Sequence, residues 1–120
     1  MTQRGDVVVI EFPCVDGGRG KNRPAVVVQA DENNRRLSNT IVVMVSGNTR
    51  LAGKVTTQVL VDPSFSQGLD ARLHGLSVIK CENVFTVRQQ DILRTIGRLS
   101  HGLMTAVDDS LRASLGLAPG

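Results

Sequence analysis

The chain has neither tryptophan nor tyrosine, and only three phenylalanines among its 120 residues. Its core must therefore be aliphatic, and a surface that stacks bases on aromatic platforms is disfavoured. Cysteine is scarce too. Cys14 and Cys81 stand far apart with no CxxC pair, and the two histidines, His74 and His101, are isolated. A structural zinc site has no ligand set, no metal or cofactor is expected, and the two thiols read as free and buried. Apolar runs are short, such as Val7 to Ile10 and Ala25 to Val28, far below the roughly 18 residues of a membrane span. Met1–Asp6 shows no basic region followed by an apolar one. The cytoplasm is therefore the expected compartment, without a membrane partner.

What remains is ordinary for a globular chain. Hydrophobic residues make up 41% and charged residues 21%, which argues against wholesale disorder and for a single domain over 1–120. The net charge is +3, and it is unevenly spread. Arg19, Lys21, Arg23, Arg35, Arg36, Arg50 and Lys54 face only Asp31 and Glu32 between positions 17 and 54. That half carries a candidate surface for a polyanion.

Most of the chain reads as strands. Val7–Ile10 with Phe12 is short and β-branched, and Pro13 ends it. Ala25–Gln29 and Ile41–Val45 are apolar on both faces, as buried central strands are. Thr56–Val61 alternates in part, whereas Ser77–Glu82 sets Ser77, Ile79 and Cys81 against Val78, Lys80 and Glu82. Thr95–Ile96 is one more short strand, and Arg88–Leu93 fits a helical turn. Turn punctuation separates these runs at 16–20, 31–34, 47–48, 62–63, 68 and 75. The period then changes: Leu103, Val107, Leu111 and Leu115 form one stripe of a helix. Ser100 is its expected N-cap, Gly116 its stop, and Asp108 and Asp109 are expected to face outward. Met44, Val45, Leu103 and Met104 read as core. The pattern predicts a mainly β, strongly curved antiparallel sheet or small barrel with one C-terminal amphipathic helix against it.

Two local features carry chemistry. The segment Phe12–Pro24 is longer than a tight hairpin needs, and it sets Asp16, Arg19, Lys21 and Asn22 among glycines. Arg23 comes directly before Pro24, which restricts it to an extended backbone. An arginine mounted this way suits two-pronged contact with a phosphate. The second feature is Ser46-Gly47-Asn48-Thr49-Arg50, where a hydroxyl stands at the exit of a buried strand.

Arg4-Gly-Asp6 before a strand, Arg23-Pro-Ala-Val-Val-Val28, and a following strand ending in a hydroxyl together resemble the MazF/PemK (Kid) toxins. Ser77–Asn83 with Thr86-Val87 looks like that family's penultimate strand. Arg94–Ser100 before a helix looks like its C-terminal end. The resemblance spans Arg4 to about Leu117. It implies an SH3-like barrel acting as a homodimer, and a metal-independent endoribonuclease that cuts single-stranded RNA, mostly mRNA. A cognate antitoxin would block the RNA groove. It puts the catalytic arginine at Arg23 and the catalytic hydroxyl at Ser46, where the family has threonine. Arg19, Lys21, Asn22, Asn48, Thr49, Arg50 and Asn83 are the expected RNA contacts. Asp16, Glu82 or solvent would act as base. The segment Asp70–Gly75 departs from the family, and His74 has no counterpart in it. Two alternatives stay open: a gyrase poison of the same fold, which the missing C-terminal Trp-Gly-Ile disfavours, and an RNA-binding barrel without catalysis.

Overall fold

The structure is a computed structural model that describes residues 2–12 and 20–119. Pro13, Cys14, Asp16 and Arg19 lie outside the described residues, and so do the expectations placed on them. The strands are β1 (Asp6–Phe12), β2 (Lys21–Val27), β3 (Asn39–Ser46), β4 (Gln58–Val61), β5 (Ser77–Arg88) and β6 (Arg94–Arg98). The helices are α1 (Asp31–Arg36), α2 (Ser66–Leu69) and α3 (His101–Leu115), with a 3₁₀ turn at Gln89–Asp91. The six strands form one sheet in the order β4-β5-β3-β2-β1-β6, and every neighbouring pair is antiparallel. This is the curved β architecture with a C-terminal helix that the sequence pattern implies.

Both faces of the central strands are buried, as their unbroken apolar runs require. Val7, Val26, Val43, Ile79 and Cys81 point to one side and pack with Leu99, Leu103 and Val107 of the C-terminal segment. Val8, Ile10, Phe12, Ala25, Val27 and Val42 point to the other, where Val87 and Ile92 close over them. Val45 and Leu103 are core, while Met44 and Met104 are half-buried against these two clusters. Phe12 meets Phe85 edge to face with ring centres 5.1 Å apart.

The curl comes from β5. Val43 pairs with Val84 but Met44 pairs with Lys80, so Cys81, Glu82 and Asn83 bulge out against β3. The strand bends there, and its first half alone joins β4 to the sheet.

Helix α3 starts and stops where expected. The Ser100 hydroxyl accepts from the Leu103 N–H at 3.2 Å, and Gly116 ends the helix with a left-handed φ of +70°. Two details differ. Asp109 is exposed, but Asp108 is half-buried and paired with the Arg4 guanidinium, which also donates to the Val28 carbonyl at 2.9 Å. Leu115 is exposed, so the apolar stripe leaves the core after Leu111. The turn expected at 31–34 is helix α1. There buried Asn34 accepts from Gln29 and Thr40 and donates to the Gln29 carbonyl. Three buried polar side chains satisfy one another, an arrangement that no periodicity reveals.

Candidate active site

Lys21, Asn22 and Arg23 are not in a loop. They form the first residues of β2, pairing with Phe12, Glu11 and Ile10 of β1. Pro24 has no N–H to donate, and the β2–β3 ladder runs only from Ala25–Met44 to Val27–Val42. Beyond Ala25 the two strands part. Continued two residues, the same register sets Arg23 opposite Ser46. Alternation puts both on the face of Ala25 and Met44, away from α3. Both residues are half-buried, and Arg23 has no carboxylate partner among the described residues.

Ser46 is held by its own turn. Its Oγ accepts from the Asn48 N–H at 3.1 Å, and the Asn48 side-chain oxygen accepts from the Arg50 N–H at 3.2 Å. A lone pair of the serine is thereby occupied by backbone, while its O–H remains able to donate outward. Asn48 and Arg50 are exposed and Thr49 half-buried, all just past the end of β3. Asn83 lies in the β5 bulge with its amide 3.8 Å from the sulfur of Met44, two positions before Ser46 on β3. The fold therefore brings Arg23, Ser46 and Asn83 to one region of one face. Lys21 sits two residues further out, at the far end of β2.

The sequence reading passed over Lys80. It pairs with Met44 on one side and Gln58 on the other, half-buried on the same face. The alternation of Ser77–Glu82 already separated it from core Ile79, which was the available signal. Gln58 donates to Glu82 at 2.8 Å. Glu82, one of the three candidates for the base, is thus an exposed carboxylate already engaged by an amide. The side-chain oxygen Oε1 of Gln58 is buried without a partner among the described residues. Cys81 is no nucleophile. Burial, with the charges of Glu82 and Asp108, pushes its thiol up to about 12, and it is a free, buried cysteine as expected. No cluster of three His, Cys, Asp or Glu side chains suits a metal among the described residues. No described helix is long and apolar enough to cross a membrane.

Solved structures share this architecture. An endoribonuclease from mycobacterial species, solved in complex with its cognate antitoxin, matches at a TM-score of 0.80 and 19% identity, with 100% of both chains covered. The Mycobacterium tuberculosis toxin MazF-mt6 matches at 0.75 and 22% identity over 95% of this chain and 99% of that one. A chain of a MazE–MazF crystal structure from Deinococcus radiodurans matches at 0.73 and 16% identity over 98% of each chain. The family itself is shown by sequence. Residues 3–115 match the PemK-like, MazF-like toxins of type II toxin–antitoxin systems, and the chain belongs to that family.

Proposed function

We propose that this protein is an endoribonuclease toxin that cuts single-stranded RNA, mRNA above all, in the cytoplasm. It would do so without a metal, as a homodimer, and a cognate antitoxin would neutralise it. The observation that carries the reading is the arginine and hydroxyl at the parting ends of β2 and β3. Family membership and the named activities of the structural neighbours, an endoribonuclease bound to its antitoxin among them, support it.

The chemistry follows from the residue types. The ribose 2′-oxygen attacks the adjacent phosphorus and loses its proton. The bond to the 5′-oxygen breaks, and that oxygen takes up a proton. The products are a 2′,3′-cyclic phosphate and a 5′-hydroxyl, and no water is consumed. Negative charge grows on the phosphoryl oxygens on the way. The Arg23 guanidinium and the Ser46 O–H are the fixed donors that meet it. Arginine does not give up its proton near neutral pH, so Arg23 clamps and donates; the base is Asp16, Glu82 or solvent. Lys21, Asn22, Asn48, Thr49, Arg50 and Asn83, with Arg19 beyond the described residues, hold the strand around the scissile phosphate.

The test is digestion of a long single-stranded RNA with EDTA present, using wild type, Arg23→Ala and Ser46→Ala, with the new ends mapped. Discrete cuts carrying 5′-hydroxyls, lost or greatly slowed in both variants, are expected. Intact RNA from a wild type that still arrests growth overturns the nuclease reading and makes gyrase the next target.

A further inference from the structure

The Asp70–Gly75 segment finds no use in the chemistry above, yet it walls a cleft of about 730 Å³. Asn22, Pro24 and Gly47 line it as well. These are the chain neighbours of Arg23 and Ser46, so the cleft and the candidate active site share the ends of β2 and β3 from opposite faces. Its floor is apolar, with Leu73 and Ile96, both part of the helix-side packing. Its rim holds Arg72, His74 and Arg94, and no carboxylate lines it among the described residues. Neither arginine has an ion pair there either, whereas Arg4, Arg88, Arg98 and Arg112 all do.

Arg72 is presented in an unusual way. It is the one described non-glycine residue with a positive φ, +56°. L-residues other than Gly, Asn and Asp seldom adopt that conformation. It stands between buried Ala71 and buried Leu73. The preceding backbone is pinned: Arg98 N–H donates to the Asp70 carbonyl at 2.9 Å. The backbone of Gly97 presses so close that a Cβ there would lie 2.4 Å from that same oxygen. The left-handed residue lets the chain bury a side chain on each side of an exposed arginine.

We propose that this cleft is a second nucleotide subsite, which takes an unpaired base and its phosphate next to the scissile bond and so sets cleavage preference. The inference rests on the endoribonuclease reading above. An apolar floor under a cationic, carboxylate-free rim matches a flat base carrying an anion. The described lining of the cleft includes no aromatic ring but His74, so the imidazole and the planar guanidinium groups of Arg72 and Arg94 are the surfaces on which an unpaired base would stack. The site's continuity with residues 22–24 and 47 selects the flank of the same RNA strand as the occupant.

The experiment measures binding of a single-stranded RNA that spans a mapped cut site and carries a 2′-deoxy sugar there, so that it is not cleaved. Arg72→Gly, Arg94→Ala, the double variant and His74→Ala are compared with wild type across a salt series. Arg112→Ala, in the last turn of α3 and outside the basic half of the chain, removes the same charge elsewhere. Affinity is expected to fall about tenfold or more in the double variant. The slope of log K against log salt should shrink by about 0.7 for each lost phosphate contact. Arg112→Ala should change affinity less than about twofold. Cut sites mapped with Arg72→Gly should spread to sequences with a different flanking nucleotide. Glycine accepts the left-handed backbone, so Arg72→Gly should melt no lower than wild type, which separates lost contact from lost fold. Wild-type affinity, salt slope and cut sites in these variants, with wild type still cutting RNA, overturn the subsite alone. A wild type that neither binds nor cuts RNA overturns the endoribonuclease reading and the subsite with it.

Discussion

On the helix side of the sheet, Val7, Val26, Val43 and Ile79 are sealed beneath Leu103 and Val107. On the opposite face the same strands pass from Val8, Ala25 and Val42 out to Arg23 and Ser46. The strands are equally apolar on both sides, so composition does not separate the two faces. The difference lies in what covers them and where pairing stops. Helix α3 covers one face, whereas on the other Pro24 ends the β2–β3 ladder and leaves two polar side chains at an opening. A face that is all packing resists substitution; the end of a face, where packing gives out, is free to hold chemistry.

Four experiments break or sharpen that contrast, in falling order of effect. Arg23→Ala should slow RNA cleavage about a hundred- to a thousandfold, the usual cost of removing one fixed donor from a developing oxyanion. Single-turnover kinetics measures this. The melting free energy should move by less than about 0.5 kcal/mol, because no described carboxylate pairs with that arginine. Ile79→Ala should do the reverse. Ile79 is fully buried, and its truncation should cost about 2–5 kcal/mol in a urea titration, with the per-molecule cleavage rate kept at low denaturant. Equal losses of activity and stability in both variants would erase the division between the faces.

Ser46→Thr is the third. Threonine restores a branched, stiffer side chain around the same hydroxyl, and about a two- to fivefold faster rate is expected, within the roughly 0.5–1 kcal/mol of rotamer entropy involved. The smallest effect is an acid one at the edge of α1. The Arg4 N–H donates to Asp31 at 2.7 Å and holds its carboxyl below the ordinary 3.8, aided by Asn34 and Arg35. A depressed folded value means that this contribution is complete above the unfolded pKa and fades as pH falls through the folded one. Between pH 5 and about pH 3, wild type should lose slightly more stability than Asp31→Asn, by less than about 1 kcal/mol for so exposed a group. Parallel melting curves for the two across that range would remove the contribution.

Much of this was legible in the chain. Strand cores such as Val7–Ile10 and the capped helix from Ser100 to Gly116 depend on neighbours within a few residues, and their signals are local. Arg23 stood out because Pro24 follows it, and Ser46 because a buried strand ends there. What escaped was set by partners far along the chain. Helix α1 hid behind turn-forming residues because its support is Gln29 and Thr40 around Asn34. Asp108 looked like a solvated helix charge because Arg4 lies 104 positions away. Arg72 and Arg94 resemble ordinary surface arginines until the fold brings them to one rim.

By itself, then, the sequence determined where the strand cores lie, where the last helix begins and ends, and which residues have the chemistry to bind a phosphate. Periodicity, caps and proline act over a turn or a pleat, and they are written in adjacent letters. Only the tertiary structure decided that Arg23 and Ser46 fall on one face where β2 and β3 stop pairing, that β5 bulges at Cys81–Asn83, and that Arg72, His74 and Arg94 line one cleft with no carboxylate among its described residues. Those depend on strand register and on where a ladder stops. Register is a property of two strands together, settled when both faces of the sheet are buried at once.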